Sequence, residues 1–293
     1  MTDLYLGYDQ AGLDAQLNLR AAVPDAERYF KLYEETSAEA RATLPCRLDV
    51  AFGPSPEETL DIFPAADPGA PIHVFIHGGY WRAFSKNEFS GIARGLAPAG
   101  ATTMIVNYAL APAVDMAEIV RQCRAALAWA WRHGAEHNGD KGRIFVSGHS
   151  AGGHLTAMMA ATDWPAFDAG LPADLVKGGC AISGIYELEP IRLSYLNADI
   201  RLGPDDVARF SPIRLRPARM APLLLCVGDG ETDEFRRQQD AYRDALADLG
   251  HQVGVVPAPG LHHFNVVDEL ARSDAPLNRA VREQMSLTAI AEN

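Results

Sequence analysis

The pattern of hydrophobic positions changes near residue 45. Residues 10–43 carry apolar side chains at helical spacing and few β-branched residues. Pro24 and Asp25 stand where a helix prefers to start, with a proline and an acid in its first turn. This pattern predicts an N-terminal helical segment over residues 1–45.

Two segments after this point alternate polar and apolar side chains, which is the period of a half-buried strand. They are residues 47–52 and 59–63, and a connection containing Gly, Pro and Ser separates them. We expect these two segments to pair as antiparallel strands.

The rest of the chain alternates continuous apolar strands with helical stretches such as residues 115–133 and 232–249. Continuous apolar runs are typical of parallel strands, because helices cover both faces of the sheet. The predicted strands are residues 72–77, 102–107, 143–147, 178–182, 222–227 and 252–256. With the antiparallel pair, they predict an α/β fold: one domain over residues 1–293, with a mostly parallel eight-stranded sheet and helices on both faces.

Residues 184–221 interrupt this alternation. They contain several prolines and no long periodic run, which predicts short helices and loops over one edge of the sheet. Long inserts of this kind in compact domains are often functional. We therefore expect a lid or a pocket wall.

Composition and charge exclude several kinds of partner. The 293-residue chain has a formal net charge of −12, from 26 basic and 38 acidic residues, which disfavours nucleic acid and anionic membranes. Its N-terminal sequence lacks the basic and apolar parts of a signal peptide, and no apolar run is long enough for a membrane span. These features predict a cytoplasmic protein that acts on a small molecule.

The strongest chemical signal is the sequence GHSAG at residues 148–152, which lies between a predicted strand and an amphipathic helix. A serine at such a turn has a strained backbone, and the flanking glycines let strand and helix pass closely. The same pattern also arises by chance, with the serine capping a helix. The strand directly before it favours a nucleophile elbow with a reactive Ser150.

A serine nucleophile needs a base, and the histidine of such sites follows the last strand. His263 lies just beyond residues 252–256 and is the preferred base, with His262 as its competitor. His251 precedes that strand, and His154 lies one turn into the helix after the serine. Both are therefore poorer candidates.

The acid that orients this histidine is expected after the strand that ends near Val227. Asp229, Glu231, Asp233 and Glu234 all follow it. The last two also suit the N-terminus of the next helix, where negative charge is favourable. Residue chemistry alone leaves Asp229 and Glu231 as alternatives.

Backbone donors for an oxyanion are expected after an earlier strand. Gly78 and Gly79 follow the first parallel strand and leave the backbone accessible. The N–H groups of Gly79 and Tyr80 are expected to act with that of Ala151, next to the nucleophile. His77 suits a structural hydrogen-bonding role better than that of a base.

Metal binding is the main competing use of the nine histidines. None has the His-Glu-x-x-His spacing of zinc enzymes, and the four cysteines lack the short spacing of zinc or redox sites. The sequence predicts no metal site and reduced cysteines.

Residues 47–270 resemble the α/β-hydrolase superfamily, and the chain resembles the kynurenine formamidase (arylformamidase) family more narrowly. The similar segments are HGGYW at 77–81, GHSAGGHL at 148–155, SGIYELEP at 183–190 and ETDEFRRQ at 231–238. The family's acid lies four residues before the phenylalanine of the last segment, where this chain has Glu231 instead of the aspartate of animal members. The resemblance therefore favours Glu231 over Asp229.

The resemblance implies a serine hydrolase that cleaves N-formyl-kynurenine to kynurenine and formate through an acyl-enzyme, without a cofactor. Tyr80, Trp81 and Tyr186 are aromatic candidates for substrate contact, although they also suit a hydrophobic core. A carboxylesterase for short acyl esters would share every catalytic residue, and a binding module on this fold would need no turnover. The N-terminal helices are expected at the active-site mouth or against a second subunit of a homodimer.

Overall fold

The computed structural model describes residues 4–287, and its strands form one eight-stranded sheet. The strands are β1 Arg47–Ala51, β2 Thr59–Phe63, β3 Ala70–Ile76, β4 Thr102–Val106, β5 Gly139–His149, β6 Val176–Ile182, β7 Leu223–Cys226 and β8 Val253–Val255. Their order across the sheet is β1-β2-β4-β3-β5-β6-β7-β8. β2 pairs antiparallel with β1 and β4, and the other neighbours pair parallel. The predicted mostly parallel eight-stranded sheet is confirmed.

Helices connect these strands and pack against the sheet. The α-helices in residues 4–287 are α1 Gln10–Leu17, α2 Leu19–Ala22, α3 Ala26–Thr43, α4 Ala93–Leu96, α5 Met116–His133, α6 Ala151–Ala160, α7 Trp164–Phe167, α8 Glu189–Leu193, α9 Asn197–Ile200, α10 Pro204–Phe210, α11 Asp233–Asp248 and α12 Pro276–Gln284. Short 3-10 helices occur at Lys86–Glu88, Ser90–Ile92, Gly134–His137, Pro212–Arg214 and Val266–Ala271.

The core is centred on β3 and β4, of which every residue is buried. Buried apolar strands of this kind are easy to recognise in a sequence. β5, in contrast, begins four residues before the predicted strand at residues 143–147. Its first half is polar, with Lys141 and Gly142 exposed. A search for apolar runs therefore misses the start of β5, although its backbone pairs with β3 from Gly139 onward.

The N-terminal segment is divided into three helices by polar side chains that cap them. Asp9 accepts a hydrogen bond from the N–H of Gly12 and starts α1. Asn18 ends α1, and its side chain accepts from the N–H of Ala21 to start α2. Residues 1–3 and 288–293, which belong to the predicted domain, lie outside the described range.

Candidate active site

The candidate catalytic residues all follow the carboxyl ends of parallel strands. Gly78 follows β3, Ser150 follows β5, Ser183 follows β6, Glu231 follows β7 and His263 follows β8. Because parallel strands end at the same edge of a sheet, residues from distant parts of the chain meet there. The topology therefore assembles one site from five separate loops.

Ser150 has the strained backbone of a nucleophile elbow, with φ 59° and ψ −118°. Such a conformation costs a non-glycine residue about 1–3 kcal/mol. A Cβ atom on Gly148 would lie 2.3 Å from the carbonyl oxygen of Gly152, and one on Gly152 would lie 2.0 Å from that of Ile76. Both positions need glycine, because strand and helix leave no room for a side chain.

His263 and Glu231 form a buried pair beside this serine. His263 Nδ1 lies 2.6 Å from Glu231 Oε2. The other carboxylate oxygen, Oε1, accepts hydrogen bonds from the Ser183 hydroxyl and from the Gly228 N–H at 2.9 Å. A carboxylate at Nδ1 holds the proton on that nitrogen and leaves Nε2 free to accept another.

The other carboxylates of this loop have different partners. Asp229 is exposed and accepts from the N–H of Gly260 at 2.8 Å. Asp233 and Glu234 each pair with an arginine on their own helix, α11. The structure therefore brings Glu231, and none of these three, to the histidine.

The competing histidines also lie elsewhere. His262 packs edge-on against Tyr29, with ring centroids 4.7 Å apart. His154 is fully buried and its Nε2 lies 2.8 Å from the carbonyl oxygen of Phe210. This bond joins α6 to the end of α10, so His154 contacts the 184–221 insert as well as lying beside the sheet.

Ser150 and His263 line one cavity of about 590 Å³. Its buried wall is aromatic and includes Phe30, Phe89 and Phe264. No hydrogen bond joins the Ser150 hydroxyl to His263 within residues 4–287, and catalytic hydrogen bonds often tighten only when substrate binds. The volume lies in the range of small-molecule sites.

The two glycines after β3 form the wall of the cavity beside the serine. A Cβ on Gly78 would lie 3.1 Å from Ser150 Cβ, and Gly79 has a φ of 107°. Within residues 4–287, the N–H groups of Gly79, Tyr80 and Ala151 have no hydrogen-bond acceptor. These N–H groups are therefore available to a ligand.

Two of the three aromatic residues predicted to contact substrate do not line the cavity. Positive φ angles from Gly79 to Trp81 turn the chain, so that Tyr80 lines the cavity and Trp81 is fully buried against His154. Tyr186 is also fully buried and stacks on Tyr242, with centroids 4.3 Å apart. The prediction is wrong for Trp81 and Tyr186, because both belong to the core.

His77 has the structural surroundings expected of it. Its ring stacks on Tyr108 at 4.2 Å, and its Nδ1 lies 2.8 Å from the carbonyl oxygen of Gly78. Burial lowers the pKa of His77 to about 4. The ring is therefore neutral near pH 7 and supports the loop that carries the two glycines.

No cluster of metal ligands accompanies these residues. In the part of the chain from 4 to 287, no three His, Cys, Asp or Glu side chains are grouped to hold a metal ion. The same residues contain no helix that is both long and apolar enough to cross a membrane.

Comparison with known proteins agrees with this geometry. A family described by the α/β hydrolase fold matches residues 73–191. Kynurenine formamidase of Danio rerio is 31% identical over 238 residues, which cover 79% of this chain and 79% of that protein. The chain belongs to the kynurenine formamidase family. The resemblance found in the sequence is thus confirmed.

Esterases and a thioesterase candidate are also similar to this family member. Esterase LipC of Mycobacterium tuberculosis (strain ATCC 25618 / H37Rv) is 27% identical over 245 residues, covering 76% of this chain and 60% of that protein. The crystal structure of a candidate thioesterase from Silicibacter sp. TM1040 superimposes with a TM-score of 0.81 at 27% identity, covering 94% of this chain and 98% of that chain. The α/β-hydrolase fold is therefore shown by sequence and by structure.

Sequence reasoning missed two residues that contact the Glu231–His263 pair. Ser183 donates to Glu231, and its position directly after a strand end was the available signal. His149 lines the cavity, and its ring centroid lies 4.6 Å from that of His263. Burial, together with the charge of His263, lowers the pKa of His149 well below its usual value. His149 is therefore a neutral neighbour of the base, and its place inside the GHSAG motif was the signal.

Proposed function

We propose that this protein is a serine hydrolase that cleaves an aryl formamide, such as N-formyl-kynurenine, to the amine and formate through an acyl-enzyme. The observation that carries the proposal is the strained Ser150 beside the buried Glu231–His263 pair, with Ser150 and His263 at one cavity. The relatives named kynurenine formamidase support the choice of substrate.

In the first step, Ser150 Oγ attacks the formyl carbon while His263 Nε2 takes the hydroxyl proton. Glu231 stabilises the imidazolium that forms, because its carboxylate faces Nδ1. The oxyanion accepts hydrogen bonds from the free N–H groups of Gly79, Tyr80 and Ala151.

In the second step, the imidazolium of His263 donates its proton to the leaving amine, and the formyl group stays on Ser150. Water then attacks this ester with His263 as the base, and formate leaves. The aromatic wall supports an aryl leaving group, because Phe30 and Phe264 pack edge-on with centroids 5.1 Å apart and both line the cavity. Aromatic pairs prefer this offset or edge-on contact.

A carboxylesterase activity on short acyl esters is the second candidate function. The similarity to esterase LipC favours it, and the same serine, histidine and donors would serve. An alkoxide leaves more readily than an amine, so an ester depends less on proton donation by His263. We expect some ester hydrolysis even when a formamide is the better substrate.

The segments around the cavity support their proposed roles. Leu17 and Phe30 of the N-terminal segment line it, and so do Tyr195 and Asp199 of the insert at residues 184–221. We infer that both segments are walls of the active site within a single domain. A cytoplasmic location and a homodimer stay predictions of the sequence.

Comparing two substrates tests the proposal. We expect the wild type to hydrolyse N-formyl-kynurenine, with a kcat/KM measured beside that for p-nitrophenyl acetate. Ser150→Ala should lower kcat by about 10⁶-fold, because the other parts of the site act through this nucleophile, and should abolish labelling by a fluorophosphonate.

Thermal unfolding of Ser150→Ala should resemble that of the wild type, and Ser273→Ala, at an exposed serine, is the control that keeps full activity and labelling. Ester hydrolysis without any formamide hydrolysis would overturn the proposed substrate. Unchanged turnover by Ser150→Ala would instead place the nucleophile elsewhere.

A further inference from the structure

The mouth of the cavity carries two arginines, although the protein has a formal net charge of −12. Arg20 belongs to α2 and Arg82 to the loop after β3, and both line the cavity that holds Ser150. Positive charge at a cavity of an otherwise acidic protein attracts an anionic ligand to that place.

The two arginines and Tyr195 line the same cavity. Burial raises the pKa of Tyr195, and the charges of Arg82 and Arg20 both act against this rise. Both guanidinium charges therefore act on the Tyr195 hydroxyl, although the two arginines are far apart in sequence.

Arg20 has no strong partner within residues 4–287. Its ion pair with Glu27 spans 3.5 Å, and the two side chains are 64% and 80% exposed. Pairs this exposed contribute about 0–1 kcal/mol. The guanidinium instead lies over the ring of Phe30, 4.8 Å from its centroid, so a ligand anion can approach its N–H groups.

Arg82 pairs with Asp199 of α9, and both side chains are partly exposed. An ion pair of this exposure adds little to stability. A guanidinium binds a carboxylate through two parallel hydrogen bonds. Asp199 already presents a carboxylate to Arg82 at the edge of the cavity, which is the chemistry that a substrate carboxylate would offer.

The aromatic wall connects Arg20 to the catalytic histidine. Arg20 lies on Phe30, Phe30 packs on Phe264, and Phe264 packs on His263 with centroids 5.5 Å apart. An aryl leaving group on this wall has its scissile bond at one end. With the scissile bond at His263, a substituent at the other end of the ring would point toward Arg20.

We propose that Arg82 and Arg20 form a carboxylate-binding subsite that selects leaving groups with an anionic group beyond the aryl ring. This proposal rests on the proposed function, because the subsite would bind the amine half of an aryl amide substrate. Arg82 makes the main contact, because its side chain is 32% exposed whereas that of Arg20 is 64% exposed and more strongly screened by water. A bound carboxylate replaces or shares the partner Asp199.

The test measures binding of two product-like ligands by calorimetry, which needs no turnover. One ligand is 4-(2-aminophenyl)-4-oxobutanoate, and the other is the neutral 2-aminoacetophenone, which keeps the aryl ketone and lacks the carboxylate. We expect Arg82→Gln to raise the Kd of the acid about tenfold or more and to leave that of the ketone unchanged. Arg20→Gln should act in the same direction with a smaller change.

Two further variants separate binding from a structural role of the ion pair. Asp199→Asn removes the internal competitor, so the acid should bind at least as tightly as to the wild type. If the pair only holds the insert in place, Asp199→Asn and Arg82→Gln will instead weaken both ligands alike. Arg192→Gln is the matched control, because Arg192 also pairs with a carboxylate on the insert but does not line the cavity.

The proposal is overturned if the wild type binds the acid no more tightly than the ketone, or if Arg82→Gln changes both equally. Failure of the proposed function has a different signature: N-formyl-kynurenine is not cleaved, while selective binding of the acid remains. The two results are therefore distinguishable.

Discussion

At the scale of single residues, the site depends on how a few polar atoms are held. The sequence predicts Ser150 and His263 from a motif and from chain order, because both follow strand ends. Residue chemistry alone leaves Asp229 and Glu231 open, since four carboxylates in one loop have the same chemistry, and only the family resemblance favours Glu231. The Ser183 hydroxyl and the Gly228 N–H hold Glu231 against His263, and no local pattern reveals a partner as distant in sequence as Ser183.

The hydrogen bonds of Glu231 predict a large loss of activity for Glu231→Gln. The Gly228 N–H can only donate, so the amide oxygen of glutamine must face it. The amide NH₂ then faces His263 Nδ1 and forces the proton onto Nε2, where it cannot accept the proton of Ser150.

We expect kcat for the best substrate to fall about 10⁴-fold in Glu231→Gln, with an unchanged thermal unfolding midpoint. Asp229→Asn, in the same loop, should keep wild-type kcat, because its carboxylate accepts from the Gly260 N–H, whereas Glu231 holds His263. A larger loss in Asp229→Asn than in Glu231→Gln would mean that the acid has been misassigned.

At the scale of elements, the close packing of α6 on the sheet gives the serine its position. The buried parts of the strands are predictable from their apolar runs, because burial on both faces leaves a local trace, whereas the polar first half of β5 is not. The direction in which an aromatic side chain points cannot be predicted in this way. Trp81 enters the core because the backbone from Gly79 to Trp81 has positive φ angles. Residue propensities do not predict this turn, because bulky residues such as Tyr80 and Trp81 rarely adopt positive φ angles.

Gly152→Ala tests this packing. Its Cβ would meet the backbone oxygen of Ile76 at 2.0 Å, and backbone on both sides cannot move away as a side chain could. We expect a loss of about 3 kcal/mol or more in the free energy of unfolding, measured by urea denaturation.

Gly203→Ala is the control for this substitution. Gly203 has a negative φ of −92°, and the nearest atom to its added Cβ is 3.6 Å away. Its free energy of unfolding should change by less than about 1 kcal/mol. Equal stability of Gly152→Ala and the wild type would show that α6 can shift from β3 at little cost.

At the scale of the whole molecule, the substrate cavity is a product of tertiary structure. Its walls come from the N-terminal helices, the loops after β3, β5 and β8, and the insert. These parts are separate in the sequence, and the fold brings Arg20, Arg82 and Phe30 to one cavity. Catalytic chemistry was therefore predictable from motifs, whereas the residues that select the substrate were not.

The buried histidines of the fold predict how its stability depends on pH. Burial lowers the pKa of His73 to about 3, and burial lowers those of His77 and His154 to about 4. In the unfolded chain such groups titrate near 6.5, so between about pH 6.5 and 4 the unfolded state binds more protons. The stability that these neutral rings contribute is complete above pH 6.5 and is lost as the pH falls toward 4.

A histidine with a folded pKa of about 4 should cost about 2 kcal/mol of stability between pH 7.5 and pH 5. We therefore expect urea denaturation to give a free energy of unfolding several kcal/mol lower at pH 5.0 than at pH 7.5. His154→Gln, whose amide can still donate to the Phe210 carbonyl, should reduce this difference by about 2 kcal/mol, since glutamine does not titrate. An equal difference in the two proteins would show that His154 is already protonated in the folded state at pH 5, and its buried contact with α10 would then have to hold a charge.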